Sequence, residues 1–209
     1  MPSFIDIIVR GGPLMIPIAL CSVVSLAINL ERLIRLRRVR KANEAFLERI
    51  RGNIRVGRVQ DALAICQASD APLAMIFAAG LKRVADGEDQ TRRAIEDAGR
   101  KETVELERHL GGLATIVGGA PLLGFLGTVL GMIQAFQQVE RLGGAVNANS
   151  LAGGIWQALI TTAAGLAVAI PTFFAHNYLV ARIQEQVHTM EDKSRELMVL
   201  LTTGDESIL

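Results

Sequence analysis

Apolar and charged positions alternate along this chain in blocks rather than evenly. Three long runs contain no Asp, Glu, Lys or Arg: residues 11–30, 110–139 and 142–181. Each reaches the length of about 20 residues that a helix needs to cross a bilayer. Between the first and second lies a charged stretch with helical spacing, predicted as a helix to about Arg51 with a break at Gly52 and Asn53. A short helix over 57–67 carries Val59, Leu63 and Cys66 on one stripe. An apolar helix follows over 72–86, with Asp70 placed to cap its first amides and Pro72 suited to its first turn. Asp86 and Gly87 close it.

From Asp89 the pattern predicts one helix to Gln138, kinked at Pro121, with Arg92–Glu96 and Asp97–Lys101 as four-residue ion pairs. At about 1.5 Å per residue it would be about 75 Å long, well beyond a hydrocarbon core of about 30 Å. The third run continues as helix from Ile155 to about Thr202, because Leu179, Ile183, Val187, Met190, Leu197 and Leu201 keep a spacing of three or four among charged residues. No strand-like alternation of any length occurs. The predicted fold is all-α: an integral membrane protein with three transmembrane helices, two of them extending far into a cytoplasmic helical domain.

The domain plan follows. Residues 1–10 form a short, mildly amphipathic outer N-terminus and 11–30 the first span, with Pro13 and Pro17 near its outer end. Residues 31–108 form a cytoplasmic helical domain, 109–138 the second span, 139–152 an outer loop, 153–181 the third span, and 182–209 a cytoplasmic helix and tail. Charge sets this orientation. The formal net charge of +1 hides a strong asymmetry: seventeen of the 22 Lys and Arg residues fall in 31–108. The cluster Arg32, Arg35, Arg37, Arg38, Arg40 and Lys41 directly follows the first span, which marks that side as cytoplasmic. The same cluster could meet anionic lipid heads, although its topogenic role already accounts for it. The first run is a retained anchor rather than a cleaved signal, since it is long and flanked by arginines. Cys21 and Cys66 are expected as free thiols.

Glycine and threonine carry the unusual chemistry. In the second span Gly124, Gly127 and Gly131 surround Thr128 just beyond Pro121. Gly124, Thr128, Gly131 and Ala135 fall four, three and four apart. In the third span Ala158, Thr162, Gly165, Ala169, Thr172 and His176 keep the same rhythm, with Pro171 among them. Glycine lowers helix propensity, so such faces either pack closely against another backbone or line a passage. No span interior holds a carboxylate or a Lys or Arg, where proton relays normally place one. His176, near the end of the third span, is read as an interfacial residue, and Trp156 as an interface anchor. Phosphate loops, metal-spaced Cys or His and nucleophile–base pairs are all missing. Neither an enzyme activity nor a cofactor, a metal or a nucleic-acid partner is expected.

The stretches Ala120-Pro121-Leu122-Leu123-Gly124-Phe125-Leu126-Gly127-Thr128-Val129 and Ala158-Leu159-Ile160-Thr161-Thr162-Ala163-Ala164-Gly165, running on to Pro171, resemble the MotA/TolQ/ExbB proton-channel family, in particular ExbB and TolQ. Gly11-Gly12-Pro13-Leu14 and Glu31-Arg32 resemble the opening of the same pattern. The resemblance implies a multi-pass subunit of the bacterial inner membrane, with its N-terminus periplasmic and its C-terminus cytoplasmic. It implies a homopentamer around a single-span ExbD- or TolR-like partner whose intramembrane Asp carries the proton. A TonB-like or TolA-like protein would receive the energy. By the same resemblance Thr128 and Thr162 would line the lumen, while Pro121, Gly124, Gly127, Gly131, Gly165 and Pro171 would pack the spans. Gln157, expected on the same lumen-lining path, stands five residues before Thr162, where well-known relatives carry Glu; it hydrogen-bonds but does not titrate. A scaffold that assembles without conducting ions is the alternative reading, and a flagellar-type stator fits less well because MotA-like chains usually carry a fourth span.

Overall fold

The structure, a computed structural model, describes residues 11–55, 59–141 and 148–203. Their regular elements are all helical: α1 (Met15–Arg55), α2 (Val59–Gln67), α3 (Pro72–Leu81), a short 3-10 turn (Val84–Asp86), α4 (Glu88–Glu107), α5 (Leu110–Arg141) and α6 (Ala148–Thr203). The expected outer N-terminus and residues 142–147 of the expected loop after the second span lie outside the described residues. Three stretches are long and apolar enough to cross a membrane, within Met15–Ile50, Glu88–Arg141 and Leu151–Thr202.

The chain forms two compact units. One holds the described residues up to Leu30 together with His109–Tyr178; the other holds Glu31–Arg108 and the described residues from Leu179 onward. In the first unit, Pro13 precedes α1 and Pro17 falls in its first turn, where the missing amide hydrogen is not required. One side of this first span packs inward through Met15, Ile18 and Ser25. Ile16, Leu20, Val23, Leu26 and Leu30 stay exposed, as suits a helix bathed in lipid. Cys21 and Val168 pack around a small core of Ile116, Ala120 and Ala169.

The second unit has a conventional apolar core. Phe46 meets Phe77 edge to face at 5.5 Å between ring centroids. Ile50, Leu73, Ile76 and Cys66 are almost fully buried beside them. The α6 stripe expected from spacing is present, with Leu179, Ile183, Met190 and Leu197 all buried. Ser194 joins them by donating its hydroxyl to the Met190 carbonyl at 2.7 Å. Between α4 and the end of α6 lies a groove of about 990 Å³, whose rim includes Arg92, Arg100 and Arg195.

Several local expectations are corrected. The Gly52-Asn53 break does not occur, because α1 runs on to Arg55. The cap of α3 is not Asp70: the buried Asn43, from α1, accepts the Leu73 amide at 3.1 Å, while Ala71 holds the N-cap position. A partner from a packed neighbour thereby replaces the local one. The stripe of α2 is rotated, so that Ala62 and Cys66 are buried while Leu63 is half-exposed. α3 stops at Leu81, and the turn after it ends at Gly87, whose φ of 97° suits glycine.

The ion pairs of α4 also differ from those expected. Arg92 reaches back to Glu88 at 2.7 Å and Arg100 to Glu96 at 3.6 Å. Acid-before-base order is the better orientation at this spacing. The largest change is that the single helix over 89–138 is two helices. Arg108 leaves helical geometry with ψ of 139°, and His109 takes φ of 68°, in the left-handed region that non-glycine residues seldom occupy.

Candidate functional site

The site begins with two helices made narrow by small side chains. Along α5, Ala120, Gly124, Gly127, Gly131 and Ala135 are buried. Along α6, Ala158, Thr161, Gly165, Ala169 and Thr172 are buried. The two rows face each other. A Cβ on Gly131 would lie 2.7 Å from the Gly154 carbonyl, and one on Gly124 would lie 3.0 Å from the Thr161 carbonyl. A Cβ on Gly165 would lie 2.5 Å from the Ala120 carbonyl. Glycine at these places lets the backbones touch, which is the means by which helices associate where lipid is as apolar as the side chains.

The threonines divide between two tasks. Thr161 is fully buried against Gly127, and its hydroxyl donates to its own helix, with the Gln157 and Ala158 carbonyls each at 3.0 Å. Thr162 is half-buried and donates across the seam to the Gly124 carbonyl at 3.0 Å. Thr128 is also half-buried, and its hydroxyl turns back to the Phe125 carbonyl at 2.6 Å. The structure therefore brings Thr162 onto Gly124 and leaves Thr128 at the margin of the seam. The packing row runs through Gly127 instead. Thr161, which spacing alone did not single out, is the most buried hydroxyl of the seam. Its only sequence signal was its place beside Thr162.

The other anticipated residues fall around this seam. Gln157 is half-buried beside Gly12, where a Cβ would overlap its amide; Gly12 itself has φ of 74°. Pro121 is half-buried within α5, and Pro171 is exposed within α6. His176 lies outside the seam, with Nδ1 3.4 Å from Asn177 Oδ1.

A second polar contact was missed. Ser25 of the first span and Thr172 of the third share a buried hydrogen bond of 2.7 Å. Thr172 also donates to Val168 at 2.7 Å, so Ser25 is the donor in their shared bond. Asn29 adds a 3.3 Å bond to Ser25 and buries its own Oδ1 without a partner. The signal was a polar i, i+4 pair, Ser25 and Asn29, on an otherwise apolar run.

The basic cluster also divides. Arg32 is 3% exposed, forks onto Glu31 and donates to the Glu105 and Leu106 carbonyls at 3.4 and 3.5 Å. Those carbonyls belong to the last turn of α4, where a cation is favoured. Arg35 pairs with Glu105 at 2.8 Å, and this contact holds the Glu105 carboxyl below its ordinary range. Burial instead pushes Glu102 up. Arg40 pairs with Glu44 at 2.9 Å. Among the described residues, no group of three or more His, Cys, Asp and Glu is arranged to hold a metal.

An all-helical chain with three apolar spans, two of them joined through a glycine and threonine seam, is an integral membrane protein built for close helix contact around weakly polar groups. The profile of the MotA/TolQ/ExbB proton channel family matches residues 68–192. The chain belongs to that family. It is 35% identical over 196 residues to the biopolymer transport protein ExbB-like 3 of Synechocystis sp., covering 87% of this chain and 90% of that one. It is 32% identical to the Tol-Pal system protein TolQ of Pseudomonas aeruginosa, covering 80% and 77%. With the biopolymer transport protein ExbB of Neisseria meningitidis it shares 27% identity over 94% and 96%. The matched profile is that of a proton channel family, and the two ExbB relatives are named as biopolymer transport proteins.

Proposed function

We propose that this chain is the channel-forming motor subunit of an inner-membrane complex that uses proton-motive force to energise a TonB-like or TolA-like protein spanning the envelope. In this reading five copies surround a single-span ExbD- or TolR-like partner, with the N-terminus periplasmic and the C-terminus cytoplasmic. The partner's intramembrane Asp carries the proton. Thr162 and Thr128, whose hydroxyl hydrogens are bonded to the Gly124 and Phe125 carbonyls, offer their oxygens as acceptors to the protonated carboxyl, and Gln157 supplies a hydrogen-bonding but non-titrating position at the outer end of the path.

The observation that carries this reading is the Thr162 hydroxyl placed on the Gly124 carbonyl, in a seam that holds no carboxylate, Lys or Arg of its own. A hydroxyl there can accept and pass a hydrogen bond but cannot hold a proton at neutral pH. Conduction therefore requires a titratable group from another chain. Thr162→Val keeps the shape and removes the hydroxyl. Expressed with its partner, this variant should assemble normally and lose most proton-dependent activity. Thr115→Val, which removes an exposed hydroxyl bonded only to the Gly111 carbonyl, should retain it. Unchanged activity in Thr162→Val would remove Thr162 from the path. Normal assembly with no proton flux in the wild type would favour a scaffold.

A further inference from the structure

The structure separates the basic residues after the first span into two sets. Arg32, Arg35 and Arg40 are committed to Glu31, Glu105 and Glu44. Arg37, Arg38 and Lys41 are exposed, and among the described residues none has an ion-pair or hydrogen-bond partner. At spacings of one, three and four they share one face of α1. Ile34 lies one turn before Arg37 and Arg38 on that face, and it is 44% exposed. Three acids around the cluster are engaged by other cations: Glu44 by Arg40, Glu105 by Arg35 and Arg108, and Glu185 by Arg182. Glu48 lies two turns further along, beyond Lys41.

We infer that Arg37, Arg38 and Lys41, with Ile34 above them, form a binding patch for the headgroup of an anionic phospholipid in the leaflet where the first span ends. Charge complementarity favours this occupant, since three unpartnered cations meet one phosphodiester surface. Continuity favours it too, because the patch follows on the same helix, about 10 Å (Arg37) to about 17 Å (Lys41) beyond the end of the apolar run at Leu30. Side chains on a helix lean toward its N-terminus, so all three cations reach back toward the lipid. The committed arginines cannot serve without breaking their own bonds.

The test uses the full-length protein purified in detergent, titrated with phosphatidylglycerol, phosphatidylcholine or inorganic phosphate. Bound lipid is read by native mass spectrometry, and thermal unfolding is followed in parallel. Wild type should prefer phosphatidylglycerol over phosphatidylcholine by about tenfold, in keeping with the attraction of clustered basic residues to anionic lipid. The triple variant Arg37→Gln/Arg38→Gln/Lys41→Gln should bring that preference close to unity. The charge-keeping variant Arg37→Lys/Arg38→Lys/Lys41→Arg should retain it, as should Arg92→Gln on α4. Four results would overturn the assignment. They are no preference in wild type, an unchanged preference in the triple glutamine variant, equal protection by inorganic phosphate, or a changed subunit count in that variant. The last would make the patch a contact between copies.

Discussion

Gly127 has the buried side chain of Thr161 where a methyl group would go, whereas Gly118 on the same helix has nothing within 4 Å. Gly127→Ala should therefore destabilise the protein by about 1–3 kcal/mol through overpacking. Gly118→Ala should be neutral or gain up to about 1 kcal/mol from helix propensity. Thermal unfolding in detergent compares the two. The small-residue faces were legible in the sequence, but their phase was not. Thr128 lies next to Gly127, and Thr161 next to Thr162. One residue is only 100° of helix rotation, and small residues on both sides leave the apolar pattern without a sharp edge.

Cys66 gives a separate test at the same scale. It is 1% exposed, and burial pushes its thiol from 9.0 up to about 11. The raised value means that its contribution is fully present below pH 9.0 and is lost as pH rises through about 11. The stability difference between wild type and Cys66→Ala should be flat to pH 9 and then shrink. A difference that stays constant to pH 11 would contradict the burial.

At the scale of elements, the break between α4 and α5 matters most. A run with no proline and dense charge carried no local stop signal, which is why one helix was expected. The stop is instead a tertiary arrangement: Arg32 from α1 holds the last carbonyls of α4, and His109 adopts a backbone conformation that costs an ordinary residue about 1–2 kcal/mol. His109→Gly should leave the break intact. His109→Val should lose stability, because a β-branched side chain suits that conformation least. Arg32→Gln should cost about 2–3 kcal/mol by releasing charge-assisted bonds in a buried place. Arg37→Gln, on the exposed face, should stay within about 0.5 kcal/mol. Chemical denaturation of the four variants provides the check. The same logic explains Asn43 at α3 and the Ser25–Thr172 bond between the first and third spans. Each joins residues far apart in sequence, so local spacing did not reveal the pairing.

For the molecule as a whole, the three spans and the all-helical class were visible in the lengths of the uncharged runs, since nothing in hydrocarbon can replace a helix's internal hydrogen bonds. The seam lacks an ionisable group, and that absence shapes the proposed mechanism. Proton movement is therefore expected to depend on a carboxylate from another chain, with the threonine hydroxyls as its surroundings. Proton flux into proteoliposomes measures this most directly, using the chain reconstituted alone, with its single-span partner, and with that partner's intramembrane Asp changed to Asn. Flux should appear only with the unaltered partner. Flux from the chain alone, or undiminished flux with the Asp→Asn partner, would contradict the account.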